Sequence, residues 1–193
     1  MEKLNLKVDN LNIRKQPSNI EAEQALIGSV LVNNEILDEI SSFINSEKFY
    51  DPSHKKIYKI IENLNAKGLI ANPITIKNFF ENDDKDSLKD VGGSEYLVKL
   101  TRFSSSARQA IEYSKIIHEN FVKRELISIS NEITMSSTSD DINKSAEDII
   151  EDAEKYLFDL AERGSFSQSF IKFNIAVDRT IEMATLAMKS DQG

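Results

Sequence analysis

No cysteine occurs among the 193 residues, so disulfides and thiolate metal sites are excluded. Tryptophan is absent too, and there are only three prolines and six glycines. With so few helix breakers, long uninterrupted helices are open to most of the chain. The two histidines, His54 and His118, are far apart and fall on different predicted helices, which is too little for a zinc site or a catalytic triad. Neither G-x-x-x-x-G-K-[ST] nor G-x-G-x-x-G is present, so no nucleotide-cradling loop is signalled. No apolar run approaches the roughly 20 residues of a membrane span. The N-terminus also lacks the apolar core of a signal peptide. A cytoplasmic protein with no membrane partner is the expectation. Acidic side chains outnumber basic ones, 32 to 24, for a net charge of −8. That argues against nucleic acid as the main partner, since phosphate binding needs a concentrated positive surface. The pairs Asp83-Asp84 and Asp140-Asp141 read as solvated turn charges. No catalytic residue, cofactor or metal ligand is expected in this chain.

What remains is a succession of helix signals. Residues 1–17 alternate weakly (Leu4, Leu6, Val8, Leu11, Ile13) in a polar, Asn-rich leader, read as a mobile arm. Residues 18–105 carry short amphipathic segments that together make a compact helical head. Ser18 and Glu21 form a capping box for the first helix, with Ala22, Leu26, Ser29 and Val30 along one side. Gly28 inside it costs about 1 kcal/mol relative to alanine, best compensated by close approach of another helix. Asn33-Asn34 breaks the run before Ile36, Leu37, Ile40, Phe43 and Ile44. Asp51-Pro52 and Asn72-Pro73 each pair an N-cap with proline at the first helical position. The helices they start carry Ile57, Ile60, Ile61 and Leu64, then Ile76, Phe79 and Phe80. Glu81–Asp86 reads as an acidic turn, and Gly92-Gly93 precedes a helix through Tyr96, Leu97, Leu100 and Phe103. His54, in a first helical turn, reads as a capping or surface side chain, and His118 as half-exposed.

Residues 106–163 read as a long helical hairpin. Ser106 and Gln109 cap its first helix. Ala110, Tyr113, Ile117 and Phe121 form one apolar face. Val122, Leu126, Ile129 and Ile133 form a second, rotated by roughly a third of a turn. A helix with two apolar faces in succession needs two partners. The first face is assigned to the head, the second to the returning helix or to another copy of the chain. Ser136–Asp141 makes the turn, and Ser145 and Asp148 cap the return helix. Its stripe is Ile149, Ile150, Ala153, Leu157, Leu160 and Ala161, closed by Gly164 as the residue after the helix. Residues 164–172 read as a linker. A last helix over 173–193 carries Phe173, Val177, Ile181 and Met188 with nothing downstream to cover them.

Several segments, taken in order, resemble one family. Pro17-Ser-Asn-Ile-Glu-Ala-Glu-Gln24-Ala-Leu-Ile-Gly28 resembles the opening helix of DnaB-type replicative DNA helicases. Phe49-Tyr50-Asp-Pro-Ser-His54-Lys-Lys-Ile57-Tyr58 is similar to a second segment of that family. Asn72-Pro-Ile-Thr75, Val91-Gly-Gly93-Ser-Glu-Tyr96-Leu97 and Val122-Lys-Arg-Glu-Leu126-Ile-Ser follow in the family's order. The resemblance covers about Pro17 to Arg163. It implies an all-α domain, a head followed by a hairpin, joined by an interdomain linker helix to an ATPase motor. The chain stops where that motor begins in the family, which reads as a fragment or a truncated gene product. ATP and magnesium would belong to the motor, as would DNA. The implied partners are other copies of the chain (a dimer, and a trimer of dimers in the full ring), primase and a helicase loader. Val122, Leu126, Ile127, Ile129 and Ile133 are the candidate interface. Ile127 and Ile133 lie where the family's primase and collar contacts fall, or else only close the hairpin internally. Phe173, Val177, Ile181 and Met188 would dock the linker helix on a neighbouring motor. The competing readings are the helicase-binding helical domain of a primase, a stand-alone helical adaptor, and an enzyme with an unrecognised site.

Overall fold

The computed structural model describes residues 16–83, 89, 92–139 and 144–164. Among them every regular element is helical. The elements are α1 (Ile20–Val32), α2 (Ile36–Ile40), a 3₁₀ turn (Ser46–Lys48), α3 (Pro52–Ala66), α4 (Pro73–Asp83), α5 (Gly93–Thr101), α6 (Ala107–Thr138) and α7 (Ala146–Gly164). The chain divides into two compact units, Met1–Ile127 and Ser128–Gly193, and the boundary falls inside α6.

In the first unit, local chemistry sets where each helix starts. The α1 cap is Asn19, whose Oδ1 accepts from the Ala22 amide at 2.9 Å. The expected Ser18–Glu21 box is therefore displaced by one residue. Asparagine serves as well as serine here, because either side-chain oxygen can satisfy an orphan donor of the first turn. Asp51 caps α3 as expected, accepting from Ser53 N at 2.8 Å and His54 N at 3.2 Å, with Pro52 beginning the helix. Asn72 accepts from Ile74 N and Thr75 N, while Thr75 Oγ1 accepts from Asn72 N. Asn34 does more than break a helix. Its Oδ1 accepts from Ala71 N at 2.7 Å and its Nδ2 donates to Ala71 O at 2.9 Å, pinning the approach to α4 against the end of α1. The expected acidic turn begins later than Glu81, since α4 runs on through Asp83.

These helices enclose one core. Leu26, Ile27 and Val30 of α1 meet Ile40, Ile44, Phe49, Ile57, Ile61, Ile76, Leu97 and Leu100. The first apolar face of α6 joins them: Ala110 and Ile117 are buried, with Ile111 and Tyr113 packed at the margin. Ser106 and Gln109 form the expected reciprocal cap at its start. At Gly28 the backbone of α5 comes close against α1. A Cβ built there would lie 2.1 Å from the Leu100 carbonyl oxygen.

In the second unit α6 runs past the expected turn, keeping Ser136, Ser137 and Thr138 helical. The hydroxyls of Thr134, Ser137 and Thr138 donate back to the carbonyls of Ser130, Ile133 and Thr134. This bonding to the preceding turn lets hydroxyl residues stay in a helix. Ser145 and Asp148 cap α7 reciprocally, at 2.8 and 3.2 Å, and the Ser145 donors hold the Asp148 carboxyl below the usual aspartate range. On α7, Leu160 is buried, Ile149 and Ala153 are half-buried, and Ile150, Leu157 and Phe158 are exposed. Gly164 is the last helical residue rather than the one after the helix. The arm's Leu4, Leu6, Val8, Leu11 and Ile13, and Phe173, Val177, Ile181 and Met188, lie outside the described residues.

The Gly28 contact gives a prediction opposite in sign to helix propensity. Gly28→Ala should destabilise by about 1–3 kcal/mol through overpacking against the Leu100 carbonyl. An open helix site would gain about 1 kcal/mol from the same change. Urea titration distinguishes the two by the sign of the midpoint shift.

Candidate interaction surface

Along α6 the two apolar faces meet different fates. The first is covered by the head. Of the second, Val122, Ile129 and Ile133 are half-buried and Leu126 is 42% exposed. At 3.6 residues per turn these four fall within an arc of about 60°. Ile127 does not share that arc. It lies about 130° from its centre, on the flank next to Arg124, and is 41% exposed. The five candidate residues are thus one strip of four and one outlier. Ile133 also lines a groove of about 450 Å³ within the second unit, with Ser136, Ile149 and Ala153.

The base of this surface is held by half-buried and buried charge that sequence reasoning missed. Arg124, three residues before Ile127, donates to the Pro17 carbonyl at 2.8 Å and the Lys48 carbonyl at 2.7 Å. Its guanidinium lies over the rings of Tyr50 and Phe121. Burial pulls its pKa down, opposed by Glu23, Glu125 and Tyr50, and an arginine remains charged under that pull. Beside it Lys48 is buried, donating to the Phe43 carbonyl and lying 3.1 Å from His118 Nδ1. Burial lowers the Lys48 pKa. His118 is buried rather than half-exposed, because the Phe43 ring packs edge-on against it and Lys48 reaches it from the 3₁₀ turn.

A second polar array sits at the centre of the head. His54 is fully buried, not a surface or capping side chain. Its Nδ1 lies 2.8 Å from Glu23 Oε2, and its Nε2 lies 2.7 Å from the Tyr96 hydroxyl. Gln24 donates to that hydroxyl at 3.2 Å. Glu23, itself 1% exposed, also accepts from the Tyr50 and Asp51 amides, at 2.6 and 3.2 Å. A carboxylate can only accept, so Nδ1 carries a proton; in the neutral ring Nε2 then accepts from Tyr96. Burial is the main cause raising the Tyr96 pKa. The array contains a carboxylate and an imidazole but offers a substrate no access to either. Its effect is to fasten the Tyr50–Asp51 segment and α3 to α1 and α5. Glu23 could have been read from the sequence. It stands three, four and seven residues before Leu26, Ile27 and Val30, on the buried side of α1. Among the described residues no three His, Cys, Asp or Glu side chains are grouped to hold a metal ion.

The described residues are a helical head and a long helix whose second apolar face is only partly buried. Residues 15–119 match the DnaB-like helicase N terminal domain, and the chain belongs to that family. Curated relatives agree. The replicative DNA helicase DnaB of Rickettsia conorii is 40% identical over 95% of this chain, and that of Pasteurella multocida is 29% identical over 91%. The replicative DNA helicase DnaC of Bacillus subtilis is 32% identical over 82% of this chain. The chain spans only 34–37% of the length of these relatives. Among solved structures, the N-terminal domain of DnaB helicase from Mycobacterium tuberculosis superposes with a TM-score of 0.67 at 22% identity, over 76% of this chain and all of that one. A DnaB-like replicative helicase, solved in a study of its interactions with primase, gives 0.60 at 24% identity, over 83% of this chain and 35% of that one. These likenesses establish the fold.

The buried array yields a stability prediction. His54→Ala removes one partner of a buried pair and should cost about 3–5 kcal/mol. A loss under about 1 kcal/mol in urea titration would contradict the fastening role, since that is the scale of an ordinary exposed pair.

Proposed function

We propose that the chain is the N-terminal assembly domain of a replicative hexameric DNA helicase. It joins copies of itself through α6 and α7 and offers the same region to primase. The observation that carries this reading is the strip Val122, Leu126, Ile129 and Ile133, which one copy leaves partly open to water. Family membership supports it, as does the primase interaction studied for one DnaB-like helicase of the same fold. Unwinding of duplex DNA, with its ATP and magnesium, would belong to a motor domain that follows the linker helix in the intact helicase. A loader would act on that larger assembly, in the cytoplasm. Phe173, Val177, Ile181 and Met188 would seat the linker helix on a neighbouring motor. The helicase-binding domain of a primase is the weaker reading, because the matched family is the helicase's own domain.

Leu126→Asp tests this. A charge in the centre of a joining strip should abolish self-association and primase binding while the circular dichroism and thermal midpoint stay near wild type. If it instead unfolds the chain at every concentration, the strip is internal core, since an uncompensated buried charge costs about 3–5 kcal/mol. If it changes neither association nor stability, the strip is not the joining surface.

A further inference from the structure

One helix carries most of the chain's charge imbalance. α7 holds seven acidic and two basic side chains, so it accounts for five of the eight excess negative charges. Two of its acids are engaged locally. Asp148 receives the Ser145 donors at the helix start, and Asp152 pairs with Lys144 at 2.8 Å. Glu147, Glu151 and Glu154 are exposed, and none of the three has an ion-pair partner among the described residues. At 3.6 residues per turn they share an arc of about 120° with Ile150, Leu157 and Phe158. Those three apolar side chains are 59%, 45% and 63% exposed. Leu160, which is buried, and Ile149 and Ala153, which are half-buried, lie to one side of that arc.

We propose that this outer face of α7 is a docking surface for a basic amphipathic helix of another protein. Its apolar side chains seat on Ile150, Leu157 and Phe158, and its Lys or Arg side chains pair with Glu147, Glu151 and Glu154. Two features select this occupant. Complementary charge steers a basic partner to the face, whereas like charge turns away the α7 of a second copy. Ile150 and Leu157 are seven residues apart, about 10.5 Å along the axis. Two turns of an incoming helix cover both, the spacing by which helices are recognised through apolar anchors. The inference does not rest on the assembly reading, because it uses no residue of the strip on α6.

The probe is a fluorescein-labelled peptide of leucine and lysine at helical spacing, about 18 residues or five turns long. Its anisotropy is followed as the full chain is added. Glu147→Gln, Glu151→Gln and Glu154→Gln together preserve helix propensity. They should weaken binding about tenfold, the combined loss of three exposed pairs. Leu157→Ala with Phe158→Ala, both at exposed positions, should weaken it to a similar degree. Glu35→Gln, Asp38→Asn and Glu39→Gln remove the same charge from exposed positions at α2 and should change binding less than about twofold. Equal weakening by the two charge-removing sets would overturn the proposal, since net charge alone would then act. So would undiminished binding by the Leu157→Ala, Phe158→Ala chain, or the lack of saturable binding. An affinity that falls as the chain is concentrated and self-associates would also overturn it, and would make a second copy the occupant.

Discussion

A straight helix can turn only one side toward one neighbour, and α6 is apolar on two. That constraint governs the rest. Its first face closes the head core with Ala110 and Ile117. Once those positions are buried, the helical period sends Val122, Leu126, Ile129 and Ile133 elsewhere. A partly open apolar surface of this kind suits joining and recognition.

Within the head, polar groups position the helices as much as apolar ones do. Buried charges are tolerable only when paired and hydrogen-bonded. Glu23 meets that condition with two backbone amides and His54. Arg124, half-buried, meets it by binding two backbone carbonyls far from it in sequence, Pro17 and Lys48. Such bonds specify direction as well as distance, which apolar packing does not. They fix where the first residues of the described chain and the 3₁₀ turn lie against α6. The Gly28–Leu100 approach does the same for α1 and α5, through the absence of a side chain rather than its presence.

Much of this was legible in the sequence. The Asp51-Pro52 and Asn72-Pro73 starts, the caps at Ser106 and Ser145, and the compensation for Gly28 follow from local chemistry and are found in the structure. The split of α6 into two faces was legible from its period. The ordered motifs from Pro17 to Ser128 led to the family. What escaped notice were long-range polar pairings. Nothing local tells His54 that Glu23 and Tyr96 will meet it, because 31 and 42 residues separate them in sequence. The same holds for His118 and Lys48, 70 residues apart. The Ser136–Thr138 run was misread as a turn because serine and threonine favour loops, yet in a helix already anchored upstream they bond to the preceding turn. Ile127 joined the candidate residues through the family resemblance, and the helical angle sets it apart from the other four.

The central claim is that one copy leaves the second face of α6 incompletely covered and a further copy completes it. Sedimentation equilibrium on the unmodified chain, from micromolar to hundreds of micromolar, tests it most directly. A reversible rise in mass from monomer to dimer or beyond is the predicted result. A single monomer mass across the whole range would contradict it.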